Sequence, residues 1–108
     1  MATTTAITVT AVDNELYIIA IPTSGPSTGY ASSELLHYVS GFNDTVSVTI
    51  VPQHVLPTGD YTLCFVGINW GGPSAFTISL TTAGTSGPVN LPPLTGVGVV
   101  STAVNITV

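Results

Sequence analysis

The chain contains no lysine and no arginine. Five acids and two histidines give it a formal net charge of −5, and only 5% of its residues are charged, where an ordinary domain has about a quarter. Nucleic-acid affinity comes mainly from cations that displace counterions at phosphates, so this composition argues against a nucleic-acid partner. Anionic membrane surfaces are disfavoured for the same reason. It also leaves no site for trypsin and no lysine for ubiquitin. The one cysteine, Cys64, leaves no internal disulfide and no mark of an oxidising compartment. The longest apolar runs fall far short of the about 20 residues that cross a bilayer, so no membrane span is expected. No basic stretch precedes an apolar one at the start of the chain. A secreted protein of this sequence has therefore lost its leader or leaves the cell by another route.

What the chain does have is apolar and hydroxyl-bearing. Hydrophobic residues are 44% of it and the mean hydropathy is +0.59, enough burial to exclude disorder. Its 108 residues fit one domain. The solvated surface must come from Thr, Ser, Asn and Gly, a neutral exterior suited to sugars or to packing against copies of the chain. The apolar pattern has a period of two. Ile7, Val9 and Ala11 share one face, with Thr8 and Thr10 on the other; Val46, Val48 and Ile50 repeat the design. Residues 16–21 are almost continuously apolar, as in a central strand buried on both sides. Asp13-Asn14 between the first two segments reads as a hairpin turn. Residues 61–68 and 75–81 read as a second hairpin through Asn69-Trp70-Gly71-Gly72-Pro73. Residues 34–39 are open between a short strand and a helical turn. The fold class expected is all-β, an antiparallel sandwich.

The expected organisation is a single domain, 1–108. Residues 1–82 form the core sandwich, 83–96 a Gly/Pro-rich connector, and 97–108 an extra C-terminal strand. That strand either closes the domain's own sheet or pairs with a neighbouring subunit. Local pairing of sequential strands favours the first.

The stretch LPTGDYTLCFVGIN at 56–69, followed by Gly71-Gly72-Pro73-Ser74, resembles the E–F corner and F–G hairpin of immunoglobulin-like and fibronectin type III-like domains. Tyr61, Leu63 and Phe65 alternate inward, and Tyr61 stands where a tyrosine corner returns its hydroxyl to upstream backbone. More narrowly, residues 35–78, with SGF…VSVTIVPQHVLPTGDYTLCFVGINWGGPSAFTI, are similar to the Ig-like domain of fungal cell-wall KNH-type secreted proteins. That resemblance implies a non-catalytic domain associated with wall glucan, outside the cell or in its wall. Cytoplasmic residence with non-classical release is the other location open to a chain without a leader.

Trp70 is the first candidate for ligand contact. It falls at an expected tip, after Asn69 and before Gly71-Gly72, where an indole face is free to stack on a sugar ring and an amide to orient hydroxyls. The same Trp is equally at home as a lid on the sandwich or in a subunit contact. Tyr30, His37, Tyr38, Asn43 and Asp44 complete the candidate ligand-binding set if their loops share that end. Residues 25–29 (GPSTG) match a nucleophile elbow around Ser27, but 108 residues cannot build the parallel sheet that holds one. No catalytic residue, metal site or cofactor is expected. The His and acid spacings fit neither zinc nor calcium patterns; Asp13-Asn14-Glu15 and Asn43-Asp44 read more simply as turn formers, with a loop calcium site on their oxygens as the alternative. Cys64 lies opposite the inward face with no cation beside it, an inert thiol. Asn43-Asp44-Thr45 and Asn105-Ile106-Thr107 are glycosylation sequons for a chain that passes through a secretory pathway.

The function expected is non-enzymatic binding of a glycan or cell-wall polysaccharide by a lectin-like sandwich acting as a homo-oligomer, which supplies avidity. The alternative is a self-assembling structural subunit that uses its C-terminal strand for subunit contacts, since scarce charge removes repulsion between copies.

Overall fold

The computed structural model describes residues 2–24, 31–41, 44–73 and 75–108, with the side chain of Asp44 excepted. Strands β1 (Thr4–Val12), β2 (Glu15–Ser24), β3 (Ser33–Val39) and β4 (Asp44–Ile50) lead to a single 3-10 turn, Pro52–His54. Strands β5 (Asp60–Asn69), β6 (Thr77–Thr82), β7 (Val89–Asn90) and β8 (Gly98–Thr107) follow. They form two four-stranded antiparallel sheets, in the orders β4-β1-β6-β7 and β3-β2-β5-β8, packed as a sandwich. The all-β class follows directly from the period-two pattern, and an immunoglobulin-like topology fits the arrangement. Residues 34–39, open from the sequence, are strand.

Alternation places the core. Tyr61, Leu63 and Phe65 on β5, with Leu16 and Ile18 beside them on β2, line the inner face of one sheet and are buried against the other, which brings Ile7 and Val9 on β1. The tyrosine corner is present: the Tyr61 hydroxyl donates to the Pro57 carbonyl at 2.5 Å. Val46 is buried and Val48 and Ile50 are half-buried, while Thr45, Ser47 and Thr49 are exposed. On β1 the phase slips. A register shift between Val9 and Ala11 leaves Ala11 half-buried and turns Val12 fully inward instead.

Three expectations are corrected. β1 and β2 are not a hairpin, because β1 pairs with β4 and β6 and β2 with β3 and β5. Asp13-Asn14 carries the chain from one sheet to the other. It lacks the glycine that lets a tight hairpin adopt positive φ at its centre. β5 and β6 likewise lie in different sheets, so the expected F–G hairpin is absent. β5 instead takes β8 as its partner in ten consecutive pairs, from Asp60↔Thr107 to Asn69↔Gly98. The C-terminal segment thus pairs within the chain. The run at 16–21 is central in its sheet but is buried on one side only. Leu16, Ile18 and Ala20 are sealed, whereas Tyr17 and Ile19 are half-buried and Ile21 is exposed, since no further layer covers that face. Within residues 83–96 the chain also makes β7, beside β6, and buries Leu94.

Candidate functional site

The β1–β2 turn, the start of the β3–β4 connection and the β5–β6 crossing meet at one end of the sandwich. Asn14 ties them together. Its Nδ2 donates to the Gly41 carbonyl (3.0 Å), its Oδ1 accepts the Trp70 backbone N–H (2.9 Å), and its carbonyl accepts the Ser40 N–H (2.8 Å). The Ser40 hydroxyl bonds the carbonyls of Val12 and Asp13. Asn69, at the last position of β5, is fully buried. Its Nδ2 donates to the carbonyls of Gly72 (3.0 Å) and Gly96 (2.6 Å), and its Oδ1 accepts from the Gly71 N–H (3.0 Å). Both N–H groups of that amide and one lone pair of its oxygen are taken by backbone and the side chain is sealed from solvent, so Asn69 does not face a ligand. It holds the loop that carries Trp70. Gly72, at φ 81°, makes the turn that brings its carbonyl back to Asn69.

Trp70 is 75% exposed. It continues the outward alternation of β5 one residue past the strand end. Cross-strand register lays out the outer face of this sheet in rows. Val39, Glu15, Ile68 and Val99 form the row nearest Trp70. His37, Tyr17, Val66 and Ser101 form the next, and Glu34, Ile19, Cys64 and Ala103 the one after. Val39 and Val99, at the two ends of the row nearest Trp70, are about two-thirds exposed or more, so that row is bare and apolar at its edges.

Its polar centre is a cluster on β2 and β3. The Tyr17 ring stacks on the His37 imidazole, with centroids 4.1 Å apart and planes 12° from parallel. The Tyr17 hydroxyl donates to Glu15 Oε2 (2.5 Å), and His37 Nε2 lies 2.6 Å from the same oxygen. Glu34 Oε1 is 4.0 Å from His37 Nδ1. The Tyr17 hydroxyl first, and His37 second, hold the Glu15 carboxyl below the usual glutamate range. The same bond to Glu15 pushes the Tyr17 phenol up. His37 Nε2 is engaged by a carboxylate rather than by a hydroxyl or thiol. The cluster therefore reads as an aromatic platform fixed by an anion, with acceptor oxygens at its rim.

Those of the expected ligand-binding residues that the structure describes do not all share one face. His37 and Trp70 share the outer face. Tyr38, next to His37, points the opposite way and packs against the core, as consecutive strand residues must. Asp44 begins β4 in the other sheet, paired with Val12. Tyr30, Asn43 and the 25–29 elbow with its Ser27 lie outside the described residues. Glu15, Tyr17 and Glu34 were not anticipated. The two-residue spacing of Glu15 and Tyr17 put them on one face of a strand, but only the pairing Tyr17↔His37 brings the second strand's groups to them. Among the described residues no group of three or more His, Cys, Asp or Glu side chains is placed to hold a metal, and no helix is long and apolar enough to cross a membrane. Comparison of the chain with protein-family models, with curated proteins and with solved structures finds no match.

Proposed function

We propose that this protein is a non-enzymatic carbohydrate-binding module whose sugar platform is the outer face of the β3-β2-β5-β8 sheet, with Trp70 at its end. The observation that carries this reading is an indole three-quarters bare on an anchored loop. An aromatic face carries the negative lobe of the ring quadrupole and attracts the positively polarised C–H groups of a sugar. Anchoring by Asn14 and Asn69 means little loop entropy is lost on binding. The Tyr17–His37 stack is a second platform. It sits beside Val66, four residues and about 14 Å along the strand from Trp70. A linear oligosaccharide spans both platforms where a monosaccharide reaches one. The resemblance of residues 35–78 to wall-associated KNH-type domains makes wall glucan the first polysaccharide to test, and on this reading the protein works extracellularly or in a cell wall.

Trp70 is the chain's only tryptophan, so its fluorescence reports its own site. Titration with soluble glucan oligosaccharides should shift the emission to the blue and grow tighter with chain length. Trp70→Ala should weaken binding, read by calorimetry, by tenfold or more, equivalent to about 1.4 kcal/mol. Silence across a broad glycan panel removes the function, and undiminished binding by Trp70→Ala removes the site. A self-assembling structural subunit is the second reading, favoured by the charge-free edge strand β8.

A further inference from the structure

Each sheet has two edges, and three of the four are blunted by recognised devices. β7 is two residues long. β4 pairs with β1 through a register break at Val9–Ala11, which twists and interrupts the ladder. β3 carries Glu34 and His37. β8 has none of these. Its ten residues, GVVSTAVNIT, include no charge and no proline, and its register with β5 runs without a break. In an antiparallel strand alternate residues turn N–H and C=O away from the neighbour. Among the described residues this outward ladder is occupied only at its far end, where Thr3 bridges to Thr107. From 98 to 106 no other described strand pairs with it.

A second observation lies on the same edge. The sandwich does not close between β7 and β8. An opening of about 320 Å³ leads inward there, lined chiefly by Leu80, Val89, Leu91, Val104 and Ile106, with no charged side chain. Val89 beside it is 64% exposed. Unblunted backbone and an uncovered apolar mouth thus sit side by side.

We infer that β8 pairs antiparallel with the β8 of a second copy, joining the two β3-β2-β5-β8 sheets into one eight-stranded sheet across a two-fold axis. The occupant follows from charge. Two copies at −5 each repel, so self-association needs a surface without charge, and the β8 edge with its adjoining mouth is such a surface. An antiparallel strand is its own complement, which closes the assembly at two rather than propagating it. Centred on Thr102, the middle of the open stretch, the pairing sets Ser101 opposite Ala103 of the partner subunit. The second copy then runs past Val104 to Ile106, where the mouth opens.

The test is solution mass. Sedimentation of the full chain from low to high micromolar concentration should give a species at twice 11.0 kDa. Ser101→Glu with Ala103→Glu changes two exposed side chains and sets like charges opposite one another in the pairing. It should return the protein to monomer with unchanged near-ultraviolet dichroism. Hydrogen exchange should show alternate amides of 98–106 protected in the wild type and released in the variant. A monomeric wild type, a dimer that survives the double variant, or growth into filaments overturns the inference. Mass and exchange are read without sugar, so failure here leaves the Trp70 reading untouched and the reverse holds too.

Discussion

Two asparagines and one aspartate show how much a single side chain decides in this protein. Asn14 and Asn69 are both buried, and the side-chain amide of each bonds backbone groups that fix the Trp70 loop. Asp13, adjacent to Asn14, is fully buried, yet neither carboxylate oxygen has a hydrogen-bond partner among the described residues. The chain has no lysine or arginine to offset it. Burying a polar group without a partner costs about 1–3 kcal/mol, and more when the group is charged. Asp13→Leu, close in size and free of polar atoms, removes the unpartnered group, so urea denaturation should show the variant more stable by about 1–2 kcal/mol. A loss of that size would mean the carboxylate is satisfied. Asp60 is the contrast. Its oxygens accept from the hydroxyls of Ser24 (2.5 Å) and Thr107 (2.8 Å), which hold its carboxyl below the usual range and tie β2, β5 and β8 together.

At the scale of elements, the sheets meet closely enough to dictate a missing side chain. Gly67 faces inward on β5, and a Cβ there would lie 2.7 Å from Cζ of Phe76, a ring that follows the β5–β6 crossing. Phe76 fills the place a side chain would take. Gly67→Ala should therefore cost about 1–3 kcal/mol, as overpacked cores do, measured as a lower urea midpoint with unchanged slope. If the variant is as stable as wild type, the ring moves freely and the contact is not tight. What the sequence made legible was of this local kind. Alternation at Tyr61, Leu63 and Phe65 marked the inward face of β5, and Tyr61 was placed at its corner. Which strands share a sheet was not legible. Inward faces on opposite sheets carry the same Val, Ile and Leu, so Asp13-Asn14 and Asn69–Pro73 looked like hairpins while they carry the chain across the sandwich. The candidate site inherited that error. Trp70 was found from its turn context, but Asn69 and Tyr38 were assigned without knowing which way their strands face. Glu15 and Tyr17 were passed over because their partner His37 comes 22 residues after Glu15.

The whole molecule is governed by an absence of cations that acts differently on the two contacts inferred for it. A neutral sugar on Trp70 forms no ion pair, so its affinity has no Coulombic part for salt to screen. Two copies meeting along β8 bring together bodies of net charge −5, and their repulsion is screened as the Debye length shortens from about 30 Å at 0.01 M salt to about 10 Å at 0.1 M. Raising salt over that range should tighten the dimer, seen by sedimentation as a lower dissociation constant. The Trp70 fluorescence titration should meanwhile keep its midpoint within about twofold, roughly 0.4 kcal/mol. Sugar binding that collapses with salt would point instead to a charged ligand held at Glu15 and Glu34, the acids beside the Tyr17–His37 stack. A dimer that weakens with salt would place ion pairs at its interface, and β8 has no residue able to make one.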